Sequence, residues 1–375
     1  MKNRLSQDFN TFSLLRFAAP TVVMMMFMSL YQMVDGVFVA NFVGETALSA
    51  LNIVYPVPSV LIAVSVMLAT GGNAIIARNM GEGENRLAKE NFSFLVLVGA
   101  VVGAGFLVFG LVFLGPLIRL LGATPNLYPY CRDYLLILVL SAPLAVFQML
   151  FQNFFVTAGK PHIGLVLTIL GGVANILLDY VFMAVFHWGV AGAALATSIG
   201  YAIPALFGLF YFTFARRGTL YLVRPVFRGR VLLHSCTNGS SEMVNNLAVA
   251  VTTFLFNILM MQYAGESGVA AITIVLYAQF LMTSMFMGFS SGIAPVASYN
   301  YGRQNIAQLQ KVFRSSIGTV AVSSLAVFVV AEFFSEPVIR VFSSSGSEVF
   351  QLAKHGFALF SVSFLFTGLN IFASA

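Results

Sequence analysis

Three acidic residues of this 375-residue chain, Asp35, Asp179 and Glu242, lie inside long apolar stretches. A carboxylate is costly to bury in an apolar medium, so an acid retained there by default marks function. Asn175 stands four residues before Asp179, on the same face of a helix, and Thr197 follows in the next apolar stretch. Such oxygens are ligands of hard cations such as Na⁺, and two neighbouring carboxylates in a dry site can equally share a proton. These residues therefore predict a site for Na⁺ or H⁺.

Structural roles for the same acids stay open at this point. Asp35 and Asp179 could bond only to neighbouring helices or cap helix ends. Glu242, in the run Gly239-Ser240-Ser241-Glu242, could cap the start of its helix, where the helix dipole favours negative charge, or form a secondary functional site.

The elements that must position these side chains are membrane-spanning helices. Hydrophobic residues make up 59% of the chain, charged residues 9%, and the mean hydropathy is +0.91, whereas a soluble domain carries about 25% charged residues. Apolar runs near the length needed to cross a bilayer predict ten helices, at residues 17–40, 49–76, 92–114, 134–157, 164–185, 190–213, 236–262, 269–294, 315–333 and 355–375. The runs do not alternate in polarity, which excludes a β-barrel. The predicted fold is all-α and polytopic.

The basic residues give the chain a direction across the membrane. With alternating loops, 15 of the 19 Lys and Arg fall on the side of the N-terminus and 4 on the other, which predicts a cytoplasmic N-terminus. The net charge of +6 is thus a topology signal, and nucleic acid is not an expected partner. Asp35 and Asp179 fall about five and six residues before the outer ends of their helices, so the four site residues lie in one layer of the outer half of the membrane.

The chain also repeats itself at a constant shift of 221 residues. The matched pairs include residues that rarely coincide by chance: Glu45/Glu266, Gly71/Gly292, Gly81/Gly302, Pro116/Pro337 and Arg119/Arg340. Six helices per unit is an even number, so the halves are parallel and related by an axis along the membrane normal. This predicts two homologous six-helix bundles: an N-lobe at 1–213, a basic cytoplasmic linker at 214–235 and a C-lobe at 236–375.

The second bundle is expected to be incomplete, with about ten helices present in all. Ala375 aligns with Phe154, late in the fourth helix of the first unit. The repeat therefore predicts a C-terminal fragment of a twelve-helix protein, or a truncated gene.

One enzyme-like motif, G-x-S-x-G, occurs at Gly288-Phe289-Ser290-Ser291-Gly292. That motif requires a strand-to-helix turn, and here it lies in an apolar helical run whose glycines suit close helix packing. The sequence has no phosphate-binding Walker loop. We therefore expect no enzyme and no ATP-driven pump.

Several motifs, in order and spacing, resemble the multidrug and toxic compound extrusion family. They are Pro20-Thr21, Met33-Val34-Asp35-Gly36-Val37-Phe38-Val39, Ala158-Gly159-Lys160-Pro161, Asn175-Ile176-Leu177-Leu178-Asp179, Gly292-Ile293-Ala294-Pro295 and Tyr301-Gly302. The resemblance implies a two-lobed transporter in the plasma membrane that exports bulky, often cationic drugs or toxic compounds in exchange for H⁺ or Na⁺. We expect no cofactor, the lipid bilayer as surroundings, and a monomer.

The same resemblance implies roles for particular residues. Asp35, Asn175, Asp179 and Thr197 match, one by one, the N-lobe cation site of one branch of the family, while Glu242 is only a loose match to a C-lobe carboxylate of another. A flippase for lipid-linked sugars is the nearest alternative, although the spans have no central Lys or Arg to meet phosphates. An intramembrane enzyme is a more distant one.

Overall fold

The computed structural model describes residues 4–216, 218–340 and 346–374. Its first half is a series of long helices: α1 (Thr11–Phe42), α2 (Glu45–Val54), α3 (Pro56–Gly81), α4 (Asn85–Leu120), α5 (Tyr128–Leu140), α6 (Ala142–Thr157), α7 (Pro161–Asp179) and α8 (Gly189–Phe214). The second half contains α9 (Gly229–Gly302), α10 (Ile306–Phe333), α11 (Ser335–Arg340) and α12 (Glu348–Ser374).

Helix α9 is two helices joined at a kink. Gly265 has a positive φ of 59°, a conformation that glycine adopts without the steric cost a side chain would bring. The two parts, Gly229–Gly265 and Ser267–Gly302, are called α9a and α9b below. Each is long and apolar enough to cross a membrane.

The predicted set of spanning helices is confirmed. Nine helices among the described residues can cross a bilayer by length and composition, or ten if α5 and α6 form one span bent by 54° at Ser141. No strand occurs in the described part of the chain. The all-α, polytopic fold that the apolar runs predict is therefore the one observed.

The stretch between the halves is shorter than the predicted linker at 214–235. Helix α8 ends at Phe214 and α9a begins at Gly229, because a helix can continue beyond the apolar run that crosses the membrane. Arg228, directly before α9a, forms a 2.8 Å ion pair with Glu90 of α4, and Leu220 is buried. The lobe boundaries themselves stay a prediction.

The buried apolar side chains form two main clusters. In the first half the core is rich in phenylalanine: the Phe212 ring lies 4.9 Å from that of Phe92 and 4.8 Å from that of Phe155, between centroids. In the second half α9b, α10 and α12 pack around buried side chains that include Phe286 and Phe364. This second cluster also contains Leu14, Phe17 and Ala18 of α1, so the first helix of the chain is packed into the core of the second half.

The halves meet through a symmetric contact at the end of the bundle that carries most of the basic residues, called the basic end below. A Cβ atom added to Gly81 of α3 would lie 2.0 Å from the carbonyl oxygen of Tyr299, and one added to Gly302 of α9b would lie 2.2 Å from that of Arg78. The shift of 221 residues relates Gly81 to Gly302 and Arg78 to Tyr299. The contact is thus self-complementary, as at a two-fold interface, and it closes the basic end.

Candidate functional site

Close packing of α1 against α7 brings the two N-lobe acids together. A Cβ atom on Gly172 of α7 would lie 2.5 Å from the Phe27 ring and 2.9 Å from the Tyr31 ring, both on α1. Only glycine allows the two helices to approach this closely. One turn beyond Tyr31 is Asp35, and two turns beyond Gly172 is Asp179.

The carboxyl groups of Asp35 and Asp179 lie within hydrogen-bonding reach of each other. Asp179 is fully buried, and Asp35 is half-buried. Oδ1 of Asp35 and both side-chain oxygens of Asp179 are inaccessible to solvent and have no hydrogen-bond donor. Two adjacent carboxylates without donors repel each other in a dry site, so a proton or a metal cation bound between them would stabilise the pair.

Asn175 and Thr197 complete the predicted set on the adjoining helices. The Asn175 amide donates a long hydrogen bond of 3.5 Å to Thr197 Oγ1. Asn175 is buried, Thr197 is half-buried, and Oδ1 of Asn175 has no donor. The structure therefore brings all four predicted residues to one place, where α1, α7 and α8 meet.

The backbone changes its helical form directly after Asp179. Residues Tyr180–Val185 form a π-helical turn, a rare element that occurs often at functional sites. It separates Asp179, the last residue of α7, from the loop that leads to α8.

The oxygen atoms of this site suit a hard monovalent cation or a proton. In the described part of the chain, no group of three or more His, Cys, Asp or Glu side chains could hold a metal ion. The site instead combines carboxylate, amide and hydroxyl oxygens.

Comparison with known proteins places the chain in a family. The sequence model of the MatE family matches residues 20–181 and 243–375, in both halves. The chain belongs to the MatE family of transporters. A relative, the multidrug export protein MepA of Staphylococcus saprophyticus, is 24% identical over 368 residues, which is 95% of this chain and 80% of MepA.

Solved structures share the fold of this MatE chain. A crystal structure of MATE in complex with MaD3S superposes with a TM-score of 0.92 at 21% identity, covering 100% of this chain and 84% of that one. The outward-facing conformation of a multidrug resistance MATE family transporter of the MOP superfamily gives a TM-score of 0.91 at 22% identity, with the same coverage. These likenesses confirm a multi-pass membrane protein with the MATE architecture.

Glu242 of this MatE protein does not cap a helix, contrary to one of its two predicted roles. Helix α9a begins at Gly229 and its N-cap is Arg228, so Glu242 lies more than three turns inside the helix. The capping prediction was wrong because residues 229–241, including Gly239-Ser240-Ser241, are already helical. Glu242 is half-buried on α9a, and a secondary functional role stays a prediction.

Three tyrosines around Asp35 escaped the sequence analysis. Tyr31, Tyr134 and Tyr201 all lie within electrostatic range of the Asp35 carboxyl group. Tyr31, which stands four residues before Asp35 on the same helix, was detectable from spacing alone. Tyr134 and Tyr201 belong to α5 and α8, and only the tertiary packing brings them close.

The enzyme alternative finds no support at Ser290 of this MatE protein. Ser290 is buried in the interior of α9b, whereas the G-x-S-x-G motif of hydrolases needs a strand-to-helix turn. The known relatives are transporters, which fits the prediction that the chain is not an enzyme.

Proposed function

We propose that this MatE protein is a cation-coupled antiporter that exports bulky, often cationic compounds. The observation that carries the proposal is the adjacent carboxyl groups of Asp35 and Asp179, three of whose oxygens are buried without a donor, next to Asn175 and Thr197. Such a pair gains a large electrostatic stabilisation when it takes up H⁺ or Na⁺ from the outside. Inward movement of that ion then drives outward movement of the drug.

Coupling requires that the ion bind one conformation better than the other. Asp35 lies on α1, which packs against both α7 and α9b. An ion that draws Asp35 towards Asp179 therefore also changes how α1 meets the second half. We propose that this step releases the drug outwards, after which the basic end opens and the cleft between the halves takes up the next molecule.

Substrate class and location are inferred from the relatives. MepA is named a multidrug export protein, and MATE structures have been solved in complex with added molecules. We accordingly assign this protein small-molecule drugs or toxic organic cations as substrates and the plasma membrane as its location, with the basic end and the N-terminus in the cytoplasm. It works as a monomer without a cofactor.

A vesicle experiment tests the proposal. The purified protein is placed in liposomes, and transport of ethidium, a bulky aromatic cation, is followed under an imposed Na⁺ gradient and, separately, a pH gradient. One of the two gradients should drive transport in the wild type. Asp35→Asn and Asp179→Asn should remove this dependence, because neither amide can replace the negative charge.

Asp133→Asn serves as the matched control, since this carboxylate is exposed on α5. It should behave as the wild type does. Gradient-driven transport that survives in Asp35→Asn and Asp179→Asn would contradict the proposed coupling site.

A further inference from the structure

A small cavity lies one helical turn deeper than the acid pair, between α1, α6, α7 and α8. Its lining includes Gln148, Thr168, Asn175, Thr197 and Gly200. The space open to the centre of a water-sized sphere is about 10 Å³, enough for one water molecule or one dehydrated monovalent cation. Asn175 lines this cavity and also belongs to the acid site, so the two are contiguous.

A proline frees a backbone oxygen at this cavity. Within α8 the carbonyl of Gly200 would normally accept a hydrogen bond from the N–H of residue 204, but that residue is Pro204, which has none. Helix α7 crosses α8 at this point: a Cβ atom on Gly171 would lie 2.7 Å from the Gly200 carbonyl oxygen. Both glycines and Pro204 line the cavity. A free carbonyl of this kind in a membrane helix must find a partner in its surroundings.

Two buried side-chain oxygens at this cavity also lack a hydrogen-bond donor. Gln148 is 3% exposed and Asn175 is 2% exposed, and neither Oε1 of Gln148 nor Oδ1 of Asn175 has a donor. Gln148 lies beside Tyr31 in the cavity lining, and the Asn175 amide donates a long hydrogen bond of 3.5 Å to Thr197. Both amide oxygens therefore still need a partner.

The number of acceptors decides between a water molecule and a cation. A water molecule has two hydrogens, so it can satisfy two of the three oxygens of Gln148, Asn175 and Gly200. A cation attracts all three at once, and neutral carbonyl-type oxygens are good ligands for hard cations. The adjacent carboxyl groups of Asp35 and Asp179 supply the negative potential, and no Lys or Arg lines the cavity.

We propose that this cavity is a second ion-binding position, which holds one dehydrated Na⁺ through Gln148, Asn175 and the Gly200 carbonyl. The inference rests on the proposed cation coupling and extends it inwards. The ion at the outer acid pair then has a neighbouring position one helical turn deeper in the bundle, between α7 and α8. Asn175, shared by both positions, passes the ion from one to the other.

Binding of ²²Na⁺ to the purified full chain tests this inference without transport. The wild type should bind one Na⁺ at the inner position, and a second at the outer acid pair where Na⁺ rather than H⁺ is the coupling ion. Gln148→Leu removes one ligand oxygen at nearly constant volume, and Pro204→Ala restores the N–H that pairs with the Gly200 carbonyl. Each should weaken binding at the inner position by about tenfold or more and leave binding at the outer pair in place. Asp179→Asn should instead remove the outer event.

Pro116→Ala is the matched control, because Pro116 lies inside α4 and does not line the cavity. Pro204→Ala adds a helix hydrogen bond, so its melting temperature should not fall, and this measurement verifies that it folds. Na⁺ binding of unchanged affinity in both Gln148→Leu and Pro204→Ala would overturn the inner position. If Asp179→Asn were the one variant that left Na⁺ binding and ethidium transport unchanged, the outer coupling site would be wrong instead.

Discussion

Asp179 combines full burial with two side-chain oxygens that have no donor. An unpaired buried polar group costs on the order of 1–3 kcal/mol, and more when it is charged. Natural proteins retain such costs mainly where function needs them. The candidate site therefore lowers the stability of the protein, and we infer that a cation bound between the two carboxyl groups offsets this cost.

Asp179→Asn should accordingly stabilise the cation-free protein by on the order of 1 kcal/mol and abolish its stabilisation by added ion. The measurement is thermal unfolding of the purified protein, with and without Na⁺ and at acidic and neutral pH. The wild type should gain stability when it binds the coupling ion. Asp133→Asn, at an exposed position, should keep the wild-type response; a variant that is both less stable and still ion-responsive would refute the argument.

Thr197→Val replaces the hydroxyl by a methyl group of similar size. If Thr197 is a ligand, the half-saturating concentration of the coupling ion in ethidium transport should rise by about tenfold, while transport at saturating ion remains. Thr213→Val on the same helix is the control, since the Thr213 hydroxyl only bonds the carbonyl of Leu209 within α8. Equal ion dependence in both variants would leave Thr197 outside the site.

The sequence allowed these four site residues to be predicted because each lies on a long apolar helix whose depth and face follow from counting. Asn175 and Asp179 share a face of α7, and Asp35 falls at the same depth on α1. Gln148 escaped, because an apolar run says nothing about which face of α6 will meet α7. The freed carbonyl of Gly200 likewise becomes meaningful only where another helix crosses it.

For single helices, the local sequence pattern determines that a helix forms, and its surroundings determine where the helix begins and ends. The spans follow from apolar length alone. The early start of α9a at Gly229 does not follow from apolar length, because polar residues can be helical outside the bilayer. The break between α5 and α6 at Ser141 does not follow from it either, because Pro143 is tolerated in the first turn of α6. Element existence was predictable, and element ends were not.

Helix α8 contributes to the first-half core through one face only. Phe212→Ala should lower the free energy of unfolding by about 3–5 kcal/mol, because it leaves a cavity among fully buried aromatic rings. Phe210→Ala, two residues earlier and 63% exposed on the outer face, should change it little. Thermal unfolding of both variants in the same detergent checks this prediction. Equal decreases in the free energy of unfolding would mean that Phe212 does not contribute to the core of the first half.

The whole molecule depends on the contact of α3 with α9b at the basic end. In Gly81→Ala the new methyl group would lie 2.0 Å from a backbone oxygen, so the halves must separate there. The half-buried Cys236 on α9a should then react faster with a polar maleimide, whereas Cys131 is fully buried. We expect an increase of about tenfold or more in the labelling rate, since a shift of about 1.4 kcal/mol between closed and open states suffices.

Gly105→Ala is the control for this variant. Gly105 lies on the exposed face of α4, and its added Cβ would meet nothing within 4 Å. Its labelling rate should match that of the wild type. Unchanged labelling in Gly81→Ala would show that this contact does not close the basic end.

The self-complementary glycine contact also has a consequence for synthesis on the ribosome. Gly81 and its partner Gly302 are 221 residues apart, so at roughly 5–20 residues per second the α3 surface waits about 10–45 seconds for α9b to emerge. Throughout that interval a strip of bare backbone shaped to fit its own duplicate lacks its partner within the chain. A second nascent chain nearby presents the same strip, so dense translation of this message favours pairing between neighbouring chains before the correct partner has been made.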